Sequence, residues 1–591
     1  MIVMNKQKVT VVLIVVFLSI FYLILGIGYS QSYNPGFFPD EFAHMGYVVD
    51  VMKNNFPDYN NGLIYSSNKL NYLNHPALYY FIVGELASLL HLQDAFATLG
   101  RYVNMAISLI IIALTCGMLY QTTQSRLATF VGGAFLLITP MFVLLGSAVS
   151  NDQINVLGCT LVICGLLGLM EVHKDSKPLT SCIVFICAGG IIASLSKATG
   201  SLVIVCLLVS VAIFNFSLLI KIIKKISVKQ WLIITASIAI VVIYFVWTHS
   251  VYSAFYPAPQ GTPAAWFWIE HPDAKRLPFS EFFGNFLNGN FVTLTIPYGH
   301  VYIMDSEFRI FIVKVILIIV AVMAGCILLK KTTSNNDFYR VTFSFVMAFF
   351  IFFIIYLFTI RDMHLKTGYT GAMQARYFFG FLPICSLVIA KVLSRIKSNL
   401  IKGIVFIMMS AALVMSGYPA LIKVSELQVW QSTTIIEQPL FNTSYGYLIK
   451  GRRFEQTILA ESNTLRGVEL MLATFARKNH GPVTLVLIDN SGKTVASEVI
   501  MMENLADNTY AWFDFRRVKI IKNQQYTLRL TCDECTQDNA ITWWAIKQEF
   551  EAPVFLLTRF GPGAGDRYAK GKAYVDGANV GGAYAFRLYF Q

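Results

Sequence analysis

The sequence predicts a polytopic α-helical membrane protein that ends in a separate β-sandwich domain. Of its 591 residues, 56% are hydrophobic and 13% are charged, whereas a soluble domain carries about 25% charged residues. Long apolar runs recur from residue 9 to residue 421, separated by short loops that collect Lys and Arg. From about residue 426 the composition becomes that of a soluble domain. We therefore expect a membrane domain over residues 1–425 and a second domain over residues 426–591.

The apolar runs predict about 11 membrane-spanning helices, since a span needs roughly 20 apolar residues. The first runs from Val9 to about Ile27 behind two lysines, and no small-residue cleavage site follows it, so we interpret it as a transmembrane helix. The other runs lie near residues 98–120, 127–147, 153–171, 180–196, 200–220, 231–250, 308–329, 341–360, 376–393 and 401–421. Residues 31–97 form a long polar segment with two short amphipathic stretches, 43–52 and 78–90.

The charged loops predict how the chain crosses the membrane. The net charge is +13, but the basic residues gather in short loops between apolar runs, which indicates membrane orientation and gives no support to nucleic-acid binding. Basic loops face the cytoplasm, so the N-terminus lies inside. The external segments are then residues 31–97, 148–152, the turn at Lys197, 251–307 and 361–375. An odd number of spans leaves the C-terminal domain outside, in the periplasm or extracellular space of a bacterial plasma-membrane protein. The basic residues that this assignment places in the cytoplasmic loops are Lys6, Lys8, Arg126, Lys174, Lys177, Lys221, Lys224, Lys225, Lys229, Lys330, Lys331, Arg340, Lys391, Arg395, Lys397 and Lys402.

The C-terminal domain shows the period-2 alternation of strands at residues 483–488, 526–531 and 583–590, separated by turn residues. Regular strands and turns of this kind predict an all-β sandwich. Such a domain can bind carbohydrate or serve as a packing or assembly module, and the fold alone does not choose between these roles. Cys532 and Cys535 lie in this external domain, where a local disulfide is favoured over a redox or zinc site.

The strongest candidate site is Asp40-Glu41, which follows the first apolar run and precedes His44. Ionisable groups at a membrane are costly to bury and usually mark a site or an ion pair. An external carboxylate can act as a general base that removes a proton from an acceptor hydroxyl. The alternative is that the acidic pair caps the helix that follows.

His75 and the two tyrosines after it form a second candidate. Pro76 restricts His75 to an extended conformation and opens a helix. His75 could contact a phosphate or an acceptor, and Tyr79 and Tyr80 could stack on a sugar. Anchoring at the membrane interface is the commoner role of such tyrosines.

Two short external turns carry the next candidates. Asp152 follows Ser150-Asn151 and could hold a second carboxylate, or an ion, against the site, although Asn-Asp is also ordinary turn chemistry. Lys197 is the only charge in its turn. A lysine there suits a phosphate partner, and the alternative is snorkelling to the interface.

The last large external loop ends in Gln374-Ala375-Arg376-Tyr377. A guanidinium at the external surface fits a phosphate through two hydrogen bonds, and the alternative for Arg376 is an ion pair with one of the acidic residues. The loop over residues 251–307 adds further aromatic and imidazole side chains suited to sugar contacts, namely Trp266, Trp268, His271, Tyr298 and His300.

The sequence contains no P-loop, no dinucleotide-binding glycine motif and no HExxH. A nucleotide-driven pump is therefore not predicted. An outward-facing site also argues against a nucleotide-sugar donor, because such donors are cytoplasmic.

Together these elements resemble the GT-C superfamily of membrane glycosyltransferases, which use lipid-phosphate-linked sugars. The resemblance covers roughly residues 1–420 and rests on the acidic first external loop, the HPxLYY element at residues 75–80 and the many-helix core. Within the superfamily the chain looks most like a bacterial family with a PxDExxH loop and a QxRY element. Here the first reads Pro39-Asp40-Glu41-Phe42-Ala43-His44, one residue shorter before Asp40, and the second spans residues 374–377.

The resemblance implies that Asp40 is the catalytic base and that Glu41 is a helper or metal ligand. It also implies that Lys197 and Arg376 hold the donor phosphate. Some members need a divalent cation, for which Asp40, Glu41 and Asp152 are the candidate ligands here. The implied function is an inverting glycosyl transfer from a polyprenyl-phosphate-linked sugar to a glycan, lipid or protein acceptor. The alternatives are an envelope glycan polymerase or ligase, a transporter, and a non-enzymatic carbohydrate-binding or anchoring protein.

Overall fold

The computed structural model describes residues 6–32, 38, 40–55, 57, 75–172, 179–256, 276–295, 337–368, 371–430, 434–438, 441, 443–475, 477–505, 507–546, 568 and 570–590. The chain divides into two compact units, with the boundary between Val424 and Ser425. The first unit is helical and the second is built from strands.

The helical unit contains fifteen α-helices in its described part. They are α1 (Lys6–Ser32), α2 (Glu41–Asn54), α3 (Leu78–Leu89), α4 (Phe96–Thr123), α5 (Arg126–Leu137), α6 (Pro140–Gly146), α7 (Asp152–Val172), α8 (Leu179–Ser194), α9 (Ala198–Phe214), α10 (Phe216–Ile223), α11 (Val228–Tyr252), α12 (Phe279–Thr295), α13 (Asp337–Thr367), α14 (Leu382–Leu393) and α15 (Asn399–Trp430), the last of which crosses the unit boundary; a 3-10 helix, Ala375–Phe381, leads into α14.

The helices confirm the predicted polytopic membrane class. In the described part of the chain, six helices are long and apolar enough to cross a bilayer. The number of spans rises to eight if each of two bent helix pairs forms one span. The apolar run at 308–329 lies outside the described residues, and the number of 11 stays a prediction. Helix α11 shows why these helices need lipid, because many of its large apolar side chains are exposed; Ile243, for example, is 66% exposed.

The hydropathy pattern treated residues 127–147 and 200–220 as single spans, and the structure bends both. Helices α5 and α6 meet at 66°, and α9 and α10 meet at 99°. Pro140 opens α6, where its missing N–H fits a helix start but not a helix interior. Asn215 lies at the second bend, is buried, and donates from Nδ2 to the Ser344 Oγ at 2.7 Å, so a distant helix supplies a partner for its side-chain amide.

Helices α7 and α8 approach each other closely because glycines face the contact. A Cβ on Gly158 would lie 2.5 Å from the backbone nitrogen of Ala193, and one on Gly189 would lie 2.5 Å from the carbonyl oxygen of Gly158. Small residues of this kind allow membrane helices to pack backbone against backbone. This packing brings the start of α7 close to the end of α8, where Asp152 and Lys197 lie.

The C-terminal unit is strand-rich and antiparallel, which confirms this part of the predicted fold class. Its strands are β1 (Thr434–Gln438), β2 (Thr443–Ser444), β3 (Arg453–Leu459), β4 (Thr464–Ala473), β5 (Pro482–Asp489), β6 (Thr494–Met501), β7 (Thr509–Lys519), β8 (Gln525–Thr531), β9 (Thr542–Ile546), β10 (Ala573–Val575), β11 (Ala578–Asn579), β12 (Ala583–Tyr584) and β13 (Phe586–Phe590). One sheet has the order β1-β13-β4-β9-β12, with β2 on β9 and β7 on β4, and the other has the order β11-β10-β3-β8-β5-β6.

Both sheets contribute to one hydrophobic core, the arrangement expected of a sandwich. Alternate residues of β5 and β8 point inward, as the period of 2 predicts. At the centre, the fully buried Trp543 stacks on Tyr584 at 4.3 Å between ring centroids and donates from Nε1 to the Ala585 carbonyl at 2.9 Å. Cys532 and Cys535 are bonded to each other and lie against this core.

Candidate active site

Four ionisable side chains from separate segments meet in the helical unit, and we call them the ionic cluster: Asp40, Asp152, Lys197 and Arg376. The Arg376 Nη2 donates to the Asp40 Oδ2, and its Nη1 lies 3.8 Å from the Asp152 Oδ2. The Lys197 Nζ donates to the Asp152 Oδ1 at 2.5 Å. Asp152, Lys197 and Arg376 are almost fully buried, and Asp40 is 17% exposed. All four are candidates that the sequence had placed in the external segments.

The backbone at Asp40 is unusual and explains the direction of its side chain. Asp40 precedes α2 with φ 60° and ψ 4°, the left-handed region, and its side chain makes no capping bond to α2. Its carbonyl oxygen instead accepts from the His44 N–H at 3.1 Å. Left-handed backbone in a residue other than glycine persists where surrounding contacts enforce it. The capping alternative for Asp40 therefore does not describe its side chain, which contacts Arg376.

Asp152 and Lys197 are both fixed by the turns that carry them. Asp152 begins α7, and its Oδ2 accepts from the Ser150 Oγ at 2.9 Å. Lys197 has extended backbone immediately before α9. The two turns are joined where the Asn151 Nδ2 donates to the Ser196 carbonyl at 2.8 Å. Burial lowers the pKa of Lys197, and the Asp152 carboxylate opposes this effect by favouring the ammonium form.

Arg376 lies on the 3-10 helix before α14, next to Tyr377. The Tyr377 ring centroid lies 5.5 Å from the Arg376 guanidinium carbon and 5.1 Å from the Lys197 Nζ. One aromatic ring therefore makes cation–π contacts with both cations. Gln374 accepts through its carbonyl from the Tyr377 N–H at 3.3 Å. The Ala375 N–H donates to the Thr293 Oγ1 of α12 at 2.8 Å, which ties the Arg376 segment to that helix.

Glu41 points away from Asp40 into a buried ion pair. The Arg101 Nε and Nη2 each donate to one Glu41 carboxylate oxygen at 2.8 Å, and the two side chains are 2% and 0% exposed. The described residues hold no group of three His, Cys, Asp or Glu side chains that could bind a metal ion. A divalent cation bound by Asp40, Glu41 and Asp152 thus stays a prediction, with Glu41 already bound to a guanidinium.

A group of rings lies beside the ionic cluster. The His44 Nδ1 and the Tyr80 hydroxyl are 2.7 Å apart, and the His44 ring is nearly parallel to those of Tyr80 and His75, at centroid distances of 5.8 Å and 6.1 Å. The Tyr47 ring stacks on Tyr80 at 3.8 Å, and its hydroxyl donates to the His75 carbonyl at 2.8 Å. Tyr79 is buried, and its hydroxyl donates to the Gly100 carbonyl at 3.2 Å, which joins α3 to α4.

The protonation of His44 gives a pH prediction. Burial lowers the pKa of His44 to about 4, although Asp40 and Asp152 favour its charged form, while Lys197 and Arg376 oppose it. The unfolded chain has a histidine pKa near 6.5, so between these values only the unfolded state binds the proton. Folding stability should then fall as pH drops from about 6.5 to about 4, by an amount on the order of 3 kcal/mol if expressed fully.

This prediction can be measured as the thermal unfolding midpoint in detergent at pH 7 and pH 5. We expect a smaller pH-induced drop in His44→Gln than in wild type, because the variant removes the group that titrates. The exposed His91 offers the matched control, His91→Gln, which should keep the wild-type drop. An equal drop in all three proteins would contradict the account of His44.

Several predicted contributors lie outside the described residues. They are the sugar-contact candidates Trp266, Trp268, His271, Tyr298 and His300 of the loop at 251–307.

Arg101 and Asn104 of α4 were not among the site residues predicted from the sequence. Both are buried, and Asn104 donates from Nδ2 to the carbonyls of Ala148 at 2.7 Å and Ser150 at 2.8 Å. The available signal was an arginine and an asparagine within the predicted apolar run at 98–120, since polar groups within a membrane helix need a partner.

No family model matches the chain, and no curated protein matches it in sequence. Among solved structures, the chain is similar to two structures of ArnT from Cupriavidus metallidurans. The structure bound to undecaprenyl phosphate has a TM-score of 0.43 and 14% identity, covering 67% of this chain and 62% of that chain. The structure in the apo state has a TM-score of 0.30 and 16% identity, covering 63% of this chain and 76% of that chain. The present chain thus spans less than two thirds of the length of the first ArnT chain.

Proposed function

We propose that this integral membrane protein is a glycosyltransferase of the GT-C type. It would move a sugar from a polyprenyl-phosphate carrier to a glycan, lipid or protein acceptor of the bacterial cell envelope. The observation that carries the proposal is the ionic cluster, in which two carboxylates and two cations from four separate segments are held together and are largely buried in the helical unit. Burying such groups is costly, so their presence at a membrane favours a functional site over a structural one.

The two cations suit the phosphate of the donor. Arg376 presents a planar guanidinium that can hold two phosphate oxygens, and Lys197 presents a compact ammonium. Both lie beside the Tyr377 ring. During transfer, negative charge builds on the phosphate as it leaves, and fixed cations in a partly water-free site stabilise that charge strongly.

Asp40 is the proposed general base, because it is the most exposed carboxylate of the ionic cluster. It would remove the proton of the acceptor hydroxyl as that oxygen attacks the anomeric carbon. The new carbon–oxygen bond forms while the bond from the anomeric carbon to the phosphate oxygen breaks, and the phosphate departs with the bonding electrons. A single displacement of this kind inverts the anomeric centre.

The ion pairs of the cluster set a condition on donor binding. Arg376 contacts Asp40 and lies near Asp152, and Lys197 is bound to Asp152. A donor phosphate must therefore compete with these carboxylates for the cations. When it does so, Arg376 turns from Asp40 to the phosphate, and Asp40 is released to accept the proton. The ion pair and the catalytic roles are thus successive states of the same residues.

We also propose an orientation for the protein in the membrane. The four segments that carry the ionic cluster contact one another, and we propose that they share one side of the membrane. We assign that side to the exterior of a bacterial plasma membrane, with the N-terminus in the cytoplasm and the strand-rich domain outside. This assignment is supported by the bias of Lys and Arg toward the opposite set of loops.

A binding measurement tests the donor side of the proposal. In nanodiscs, undecaprenyl phosphate should bind wild type and bind Lys197→Gln about ten- to a hundredfold more weakly, the range for loss of a hydrogen bond to a charged group. Lys224 is exposed beyond α10, and Lys224→Gln is the matched control that should bind like wild type. Equal affinity in Lys197→Gln and wild type would contradict a role for Lys197 at the phosphate.

A further inference from the structure

Helix α4 connects to both halves of the ionic cluster, although it contributes no residue to it. The first connection runs through Arg101. Besides its two bonds to Glu41, Arg101 donates from Nη1 to the Ser30 carbonyl at the end of α1, at 2.7 Å. The Glu41 Oε1 also accepts from the Val149 N–H at 2.8 Å. Glu41, the residue after Asp40, is therefore tied to α1, to α4 and to the turn before α7.

The contacts of Glu41 account for the backbone of Asp40. A left-handed conformation costs energy in any residue with a Cβ, although aspartate and asparagine adopt it more readily than most others. Glu41 is held on both carboxylate oxygens, and its N–H donates to the Phe38 carbonyl at 3.0 Å. The Arg101 guanidinium in turn lies 4.7 Å from the centroid of the Phe38 ring. The chain on both sides of Asp40 is therefore fixed by Arg101, and the carboxylate is aimed at Arg376.

The second connection runs through Asn104, three residues further along α4. Its Nδ2 donates to the carbonyls of Ala148 and Ser150. Ser150 in turn donates from Oγ to the Asp152 carboxylate. Residues three apart share one face of a helix, so one face of α4 holds both the Asp40 loop and the Asp152 turn.

We propose that Arg101 and Asn104 are positioning residues that set the two carboxylates of the ionic cluster relative to each other. Arg101 acts on Asp40 through Glu41, and Asn104 acts on Asp152 through the turn at residues 148–150. The proposal deepens the proposed function and rests on it for the kinetic consequence. Arg101 governs proton removal, since Asp40 is the base. Asn104 governs phosphate binding, since Asp152 orients Lys197.

The geometric part can be tested without any substrate, on the full-length protein in nanodiscs. In Asn104→Ala, the ion pair between Asp152 and Lys197 should be broken more of the time. Reductive methylation of Lys197 should then become about fivefold faster, because the loss of one hydrogen bond changes an equilibrium by about that factor. In Arg101→Lys, which cannot keep every bond of the guanidinium, carbodiimide coupling to Asp40 should accelerate by a similar factor. Peptide mass spectrometry measures both rates.

Two buried or half-buried residues of the same unit provide matched controls. Asn215 makes the same kind of side-chain bonds at the α9–α10 bend, and Arg340 donates to the Phe214 carbonyl at 3.2 Å. Asn215→Ala and Arg340→Lys should leave both labelling rates at the wild-type value. Labelling that rises equally in the controls would indicate general loosening, and labelling that rises in neither α4 variant would also overturn the proposal.

Kinetic and binding measurements distinguish the role of Arg101 from that of Asn104. They also distinguish a failure of the positioning roles from a failure of the proposed function. Arg101→Lys should lower the kcat of sugar transfer while undecaprenyl phosphate binds at least as tightly as in wild type. Asn104→Ala should strengthen that binding, because a Lys197 that Asp152 holds less often is freer to bind the phosphate. In the Asp40→Asn background, Arg101→Lys should have little further effect, because residues that act as one unit are not additive. A full additional loss there would overturn the role of Arg101. A wild type that transfers no sugar would refute the proposed function, while the labelling rates would still decide the positioning role.

Discussion

Asp40→Asn should abolish sugar transfer in cells that depend on this protein, with a loss of about 10²- to 10⁴-fold, the usual contribution of a general base. The substitution keeps the size of the side chain but removes its ability to accept the proton. Asparagine also tolerates left-handed backbone, so the φ of 60° at this position is retained without new strain. The measurement is the envelope glycan mass profile of a strain that lacks the gene and is complemented with the variant, with its expression confirmed.

A matched control separates this effect from any loss of a surface charge. Asp362 pairs with Lys366 on an exposed stretch of α13 and is 61% exposed, and exposed pairs contribute little to stability. Asp362→Asn should therefore complement like wild type. If Asp40→Asn also complements fully, Asp40 is not the base.

Arg376→Ala should have the second largest effect. It removes the guanidinium proposed to hold the leaving phosphate, and loss of one such electrostatic contact costs about 10²- to 10³-fold in kcat. It also leaves Asp40 and Asp152 without a cation that contacts or lies near both. Arg376→Lys should recover part of the activity, because an ammonium keeps the charge but cannot make the paired hydrogen bonds.

The measurement for Arg376 is transfer activity together with the affinity for undecaprenyl phosphate. Arg395 is exposed after α14, and Arg395→Ala is the control that should match wild type in both. If Arg376→Ala lost stability but kept both its affinity and its transfer rate, Arg376 would be a structural partner of Asp40 alone. That outcome is the alternative that the sequence left open.

The candidate site could be predicted from sequence to the extent that its residues stand out locally. Asp152, Lys197 and Arg376 each adjoin an apolar run, where a charge is conspicuous, and Asp40 lies in the polar segment that follows the first run. An ion pair of Arg376 with one of the acidic residues was an alternative that the sequence offered. Which acidic residue Arg376 contacts, and the pairing of Lys197 with Asp152, could not be predicted, because both depend on how distant parts of the chain pack. The role of Glu41 was equally hidden, since its partner lies 60 positions away in the chain.

The fold shows the same division between local and tertiary information. Hydropathy located the apolar helices because lipid contact requires a long apolar surface. It could not predict the bend at Asn215, whose side-chain amide donates to Ser344 of a helix far away in the sequence. The strand pattern at residues 483–488 and 526–531 found β5 and β8, since their inner faces are buried in a shared core. The single predicted strand at 583–590 is two strands, β12 and β13, which pair with different neighbours.

The central claim is tested most directly by the masses of the envelope glycans, glycolipids and glycoproteins of strains with and without the gene. We expect deletion to remove the mass of one sugar from a defined product and the wild-type gene to restore it. A collapse of glycan chain length would instead indicate a polymerase or ligase. Identical masses for every product in the two strains would contradict the proposal that this protein transfers a sugar.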